Sequence, residues 1–427
     1  MPTPQAEVKS IANFAGTGIC YAYAVKAGPW VFLNGHEAFD FETGTRDAVT
    51  GPPGFPLWGP PLYRREGDYI LRRMQRILAE FGLDLSDGVR LDQYYPTTHA
   101  VNPYHLARRA TFGDYIPPST SVIMEHGLHA DSAITASLIA VTSGEQYRIG
   151  RVYPKDAAAP ETSGFVPAIT CNDFVFVAGQ MATAESGGLD ARAHVPDFDR
   201  WAGSEIRKQT EFLILNKLRP ALEATGSSLR QAVKAQAYID SSRNIPDFVE
   251  VWNEHFRGSP CALTVVPTRT FSTVGGLLEI NMLALRNDAR RSKEVIEAGL
   301  PAMSAYGPCI RVGELLLPSG LMPVGADGTV VGGAASPGLE TLAHAGTHQA
   351  ACLYAYAEAL CAAARTSMEN LARAQYFVSS PTEFSGVAAA WVSRYGSRPH
   401  PFAYVQTPAS LPAPGAVVIG DFWIYAP

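Results

Sequence analysis

A chain of 427 residues with 47% apolar and 17% charged side chains can bury several cores and leaves little of itself to disorder. The 34 basic and 40 acidic residues give a net charge of −6 with no Lys/Arg-rich run, which argues against a nucleic-acid backbone as the main partner. No apolar run approaches the roughly 18 residues of a membrane helix, and no basic start leads into an apolar stretch, so a cytoplasmic chain without membrane contact is expected.

In chain order, the first elements are a strand at 30–33 running into the turn Asn34-Gly35, a helix over 66–81, a strand at 91–95, a helix over 103–112, and strands near 119–124 and 133–141. The set then recurs. Phe174-Val175-Phe176-Val177 reads as a buried strand before the turn Ala178-Gly179. Over 203–224, Ile206, Phe212, Leu213, Leu215, Leu218 and Leu222 return at helical spacing, and Gly226 supplies the stop. A strand at 233–239, a helix over 245–256 entered through Asn244 and Pro246, and strands at 263–266 and 277–285 complete the second set. The third has a strand at 315–317, the turn Ser319-Gly320, a helix over 343–365, a strand at 371–378, a helix over 381–395, and strands near 402–406 and 416–425.

Landmarks keep step across the sets. Gly35, Gly179 and Gly320 are 144 and 141 positions apart, and Gln93, Gln236 and Gln375 are 143 and 139 apart. A period this long marks small domains, not solenoid units. The expected units are 1–147, 148–292 and 293–427, each an α+β fold of ββαβαββ type with two helices on one face of a sheet. The three glutamines predict a polar ring where equivalent strands meet, with Tyr95, Tyr238 and Phe377 on the same face. The Pro/Gly-rich stretch 51–61, residues 184–200 and the Gly-rich 325–338 are loops between strand and long helix, the kind of segment that forms lids or binding walls. Six scattered cysteines without a CxxC pair read as reduced, buried thiols.

The second set is the most specific. Val175-Phe176-Val177-Ala178-Gly179-Gln180, the helix end Leu222-Glu223-Ala224-Thr225-Gly226, Val233-Lys234-Ala235-Gln236-Ala237-Tyr238-Ile239-Asp240 and Phe248-Val249-Glu250-Val251-Trp252-Asn253-Glu254-His255-Phe256 stand in the order that resembles the RidA family, also called the YjgF or L-PSP group. The resemblance implies a chorismate-mutase-like fold that forms trimers with ligand clefts between neighbouring subunits. Three fused copies would then close a pseudo-trimer within one chain. It also implies hydrolysis of enamine or imine intermediates, with an Arg after a Pro-small pair for the substrate carboxylate and a Glu late in the last strand to handle water. At the Arg position this chain aligns as Ser119, Ala262 and Ala403, and at the Glu position as Ser137, Asn281 and Asp421. Ser or Ala cannot replace a guanidinium fork, so either the substrate differs or the cation comes from elsewhere.

Candidate groups follow from the residues. His36-Glu37 after the first turn, and Glu125-His126 after the Ser119 strand, pair an imidazole with a carboxylate as general acid–base chemistry requires. Ser119, Ser137, Gln180, Asn281, Asp421 and Arg269 are the candidate substrate contacts, and Arg311 is a further possible source of the cation. Cys261 reads as buried packing, and His344 and His348, four apart, as a helix entry. No spacing supports a metal, and no cofactor is expected. The expected function is a hydrolytic, deaminase- or amidase-type enzyme acting on a small polar metabolite. A lyase or cyclisation enzyme and a non-catalytic binding or scaffold protein are the alternatives, and further oligomerisation is left open.

Overall fold

The computed structural model describes residues 5–427 except 15, 42, 46, 53, 55–57, 143, 158, 160–162, 199–200, 202, 332–343 and 409. Parts of the three long loops, above all the second half of 325–338, therefore lie outside the described residues.

Three units of one design follow each other. The first comprises β1 (Glu7–Asn13), β2 (Cys20–Ala27), β3 (Trp30–His36), α1 (Leu62–Ala79), β4 (Gly88–Tyr95), α2 (Val101–Phe112), β5 (Ser119–Ile123) and β6 (Thr135–Val141). The second comprises β7 (Ile149–Val152), β8 (Ala168–Cys171), β9 (Phe174–Gln180), a long helix α3, β10 (Ser227–Ile239), α4 (Ile245–Phe256), β11 (Ala262–Pro267) and β12 (Leu278–Arg286). Helix α3 runs through Glu205–Leu213, a π turn at Ile214–Leu218 and Arg219–Ala224, the wide turn falling just before Pro220, which has no N–H to offer the preceding turn. The third comprises β13 (Lys293–Ile296), β14 (Cys309–Val312), β15 (Leu315–Leu317), α5 (Ala345–Ala363), β16 (Leu371–Val378), α6 (Phe384–Tyr395), β17 (Phe402–Gln406) and β18 (Val418–Tyr425).

Each unit makes a six-stranded sheet of the same order: β1-β2-β3-β6-β4-β5, β7-β8-β9-β12-β10-β11 and β13-β14-β15-β18-β16-β17. Only β4–β5, β10–β11 and β16–β17 pair in parallel, each across a helix. The α+β expectation therefore holds, with one strand more per unit than the ββαβαββ pattern. Both strands preceding the β3, β9 and β15 positions escaped the sequence reading. Two of them, Ile149–Val152 and Lys293–Ile296, are four residues long and largely unburied, so they carry little alternation.

The units share a core. One buried cluster takes Trp30, Phe32 and Ile139 from the first, Ile169, Phe174, Phe176 and Leu283 from the second, and Ile310, Leu315, Leu317 and Trp423 from the third. A second joins Tyr94, Tyr238 and Phe377 with Val122, Val266 and Val405.

Candidate active site between the first and second units

Where the units meet, the last residues of β3 and β9, which are strand and not the expected turns, and the segment after β15 abut the edge strand of a neighbour. Gly320 N donates to Leu263 O at 3.1 Å, and Ser319 Oγ accepts from Leu263 N at 2.8 Å. A Cβ on Gly320 would stand 2.9 Å from Thr264 Cγ2, and one on Gly35 2.7 Å from Ala403 Cα, so glycine is what lets these strands approach. At the third joint the space is filled differently: the Glu279 carboxylate stands where a methyl on Gly179 would have to go.

That carboxylate helps line a cavity of about 200 Å³ shared by the two units. Asn102 and His105 come from α2, Ser119 and Ser121 from alternate positions of β5, Gln180 from the end of β9, and Thr183, Ser272 and Thr273 from neighbouring loops. Burial pushes the Glu279 carboxyl up to about 8; the Ser121 N–H bonded to it works the other way, and the nearby Asp92 charge adds to the rise. Burial pulls His105 down to about 2, helped by Arg108 and Arg109, so its imidazole is neutral.

Among the described residues no Lys or Arg lines the cavity. The cation is behind its wall: Arg108 is fully buried, with Nη1 donating to Gln93 Oε1 at 2.8 Å and Ser119 Oγ at 3.2 Å, and Nη2 to Ser163 O at 2.6 Å. Its fork is engaged with protein and holds the wall in place.

Of the candidates from sequence, Ser119 and Gln180 line this cavity and the others lie elsewhere. His36 is wholly buried, its Nε2 within 3.2 Å of Tyr23 O, and burial together with Arg73 holds its pKa well below the usual value. Glu37 points away from it and accepts from Leu128 N (2.7 Å), His129 N (2.9 Å) and Thr135 Oγ1 (3.0 Å). The expected His36-Glu37 pair is thus a core imidazole beside a carboxylate that ties down a loop. Glu125 meets Arg269 at 3.5 Å on the surface, so Arg269 faces a carboxylate of its own chain. His126 is exposed, and its carbonyl accepts from Gln406 N. Arg311 caps chain ends, bonding Ala364 O and Ala426 O. Burial pushes the Cys261 thiol up to about 12, which leaves it a poor nucleophile.

The polar ring exists, with one member changed. Asp92 pairs with Thr120 and Ser137, Gln236 with Thr264 and Asn281, and Gln375 with Ala403 and Asp421. The first unit's equivalent of Gln236 and Gln375 is therefore Asp92, and that of Tyr238 and Phe377 is Tyr94, not Tyr95. Gln93, one position on, faces the helices and bonds Ser121 and Arg108. A one-residue shift on a strand exchanges its faces, and a repeat spacing good to a few residues cannot detect it.

The same register shows Ser119, Ala262 and Ala403 to be inequivalent. Ser119 pairs with Leu91, whereas Ala403 matches Thr120 and Thr264. Ser137, Asn281 and Asp421 are in register, but they face the buried centre. Asn281 Nδ2 donates to Thr120 Oγ1 at 2.9 Å. Asp421 accepts from Gln236 Nε2 at 3.1 Å and lies 3.1 Å from Lys234 Nζ. Asp92 is held by Arg90 at 3.0 Å and by Arg373; burial would raise its pKa, and the two guanidinium groups outweigh that and lower it. Gln236 Nε2 donates to Gln375 Oε1 at 2.6 Å.

Sequence reasoning missed Glu279, two positions before Asn281 on the same strand face. Its alternation with Asn281 across Ile280 was the available signal. Among the described residues no group of three or more His, Cys, Asp or Glu is placed to hold a metal, and no helix is long and apolar enough to cross a membrane.

Comparison with known proteins agrees with the middle unit. Residues 156–286 match the family model described as Endoribonuclease L-PSP. A RutC family protein of Pyrococcus abyssi is 29% identical over 130 residues, 30% of this chain and 91% of that protein. Among solved structures, yeast Mmf1 is 22% identical, with a TM-score of 0.28, over 33% of this chain and all of its own. RidA from an Antarctic Psychrobacter is 20% identical, with a TM-score of 0.27, over 32% of this chain and 99% of its own. The middle unit is thus similar to the L-PSP family, and the first and third units repeat that unit's sheet order.

Proposed function

We propose that this chain is a hydrolytic small-molecule enzyme whose active site is the cleft between the first and second units, with Glu279 as its acid–base group. The observation that carries the reading is the Glu279 carboxyl itself: buried against Gly179, inside a cavity, with its pKa raised to about 8. A carboxyl protonated at neutral pH can donate to an imine nitrogen and, as carboxylate, take the proton of the attacking water. Collapse of the resulting carbinolamine gives a carbonyl and ammonia. Ser119, Ser121, Gln180 and Thr273 supply neutral donors and acceptors to orient the substrate.

With no cation among the described lining residues, a substrate carboxylate would stand unpaired in a desolvated cleft, so the reading favours uncharged imines or amides over amino-acid-derived acids. The chain then works as an intramolecular pseudo-trimer with one cleft specialised. Ammonia release from a panel of neutral and carboxylate-bearing imines and amides tests this directly. Turnover of a neutral member, reduced about 100-fold or more in Glu279→Gln, supports it. A silent panel, or turnover indifferent to Glu279, would remove the basis for it.

A further inference from the structure

Trp58 and Pro60 help line a second pocket, and their anchor is Arg65 in the first turn of α1. Arg65 is buried, and its guanidinium donates to three main-chain carbonyls: Val49 O and Trp58 O, both at 2.6 Å, and Pro60 O. Trp58 is packed on Gly51, where a Cβ would meet its Cε3 at 2.9 Å and where φ is +80°, a left-handed conformation suited to glycine. The indole is thus fixed, yet it remains 42% exposed. It faces the outer side of α1, where Tyr69, Arg72 and Arg76 follow one another at helical spacing.

Between them lies a cavity of about 640 Å³, within the size range of small-molecule sites. Three guanidinium groups line it against one carboxylate, Asp68. Arg72 and Arg76 make no hydrogen bond or ion pair among the described residues, so both forks are available to a ligand. The corresponding helix of the third unit, α5, contains no Lys or Arg at all, so that unit does not repeat this basic face.

We propose that this pocket binds a small anion carried on a planar apolar body, such as an aromatic carboxylate or sulfonate. Arg72 and Arg76 take the anionic oxygens as charge-assisted, forked hydrogen bonds. Trp58 and Tyr69 cover the ring faces, and Arg65 keeps the indole wall in place. None of these residues lines the cleft that holds Glu279, so the site is separate from the proposed chemistry.

Calorimetric titration of the full chain with 2-naphthoate, and with neutral 2-naphthol as control, tests this. Saturable binding of one naphthoate per chain is expected, weakened tenfold or more in Arg72→Ala/Arg76→Ala and unchanged in Glu279→Gln. Both arginines are on the solvent face of α1, so the double variant is expected to keep the wild-type circular dichroism, which is checked alongside. Trp58→Ala should weaken naphthoate as well. Equal naphthoate binding by wild type and the double variant overturns the proposal, as does absence of saturable binding. Equal affinity for naphthol overturns it too, because the pocket would then be reading apolar surface alone.

Discussion

The Glu279 carboxylate occupies the space that a side chain on Gly179 would need. The glycine at this position of β9 therefore serves a different purpose from its counterparts. Gly35 and Gly320 let a neighbouring strand close in, whereas Gly179 makes room for an ionisable group. Gly179→Ala should expel the carboxylate from its seat. Expected outcomes are a loss of about 1–3 kcal/mol from overpacking, read by urea denaturation, together with a fall in turnover comparable to that of Glu279→Gln.

The pH dependence of stability has a defined sign. The folded-state pKa values of Glu279, Glu37 and Glu66 are raised, to about 8, 7 and 7, mainly by burial. Folding therefore favours their protonated forms, and the stability they contribute is present below the ordinary glutamate range and lost as pH rises through about 7 to 8. Denaturation midpoints should fall between pH 5 and pH 8.5, and Glu279→Gln should flatten part of that slope. A midpoint that rises over this window contradicts the assignment.

Turnover by the proposed acid should decline as pH rises through about 8, because only the protonated carboxyl can donate. A pH–rate profile with the opposite limb would make Glu279 a base in the rate-limiting step.

Asp92 is held between Arg90 and Arg373, nearly all of it out of water. Asp92→Asn leaves two buried guanidinium groups without their anion and should cost about 3–5 kcal/mol. By contrast, Arg269→Ala removes only a surface contact with Glu125 and should change stability by less than about 1 kcal/mol. If Arg269 held substrate, its removal would instead raise KM.

Much of the fold was legible because helices and central strands announce themselves by period. The strands at 315–317, 371–378 and 402–406 and the helix at 245–256 match Leu315–Leu317, Leu371–Val378, Phe402–Gln406 and Ile245–Phe256. The site was much less legible. Gln93 sat one residue from the ring position that Asp92 holds, and spacing alone could not tell the two faces of β4 apart. His36 and Glu37 are adjacent in sequence but not in chemistry: His36 ends β3 with its ring in the core, and Glu37, just past the strand, turns to the 128–135 segment. Glu279 carries no motif of its own; its one signal is the alternation with Asn281 across Ile280. The cavity was beyond sequence reasoning altogether, since its walls come from residues more than 150 positions apart, such as Asn102 and Glu279.

At the buried centre, Arg90, Lys234 and Arg373 stand at one register, Asp92, Gln236 and Gln375 at the next, and Ser137, Asn281 and Asp421 across from them. An assembly of three identical subunits must repeat whatever it places at such a centre. Three copies of the second unit would gather three lysines there with only amides for company. Fusion removes that obligation: a charge can be introduced on one unit and answered on another, as Asp421 answers Lys234. The arrangement also fixes which unit sits beside which, so the linear order of the chain and the asymmetry of its interior have become the same piece of information.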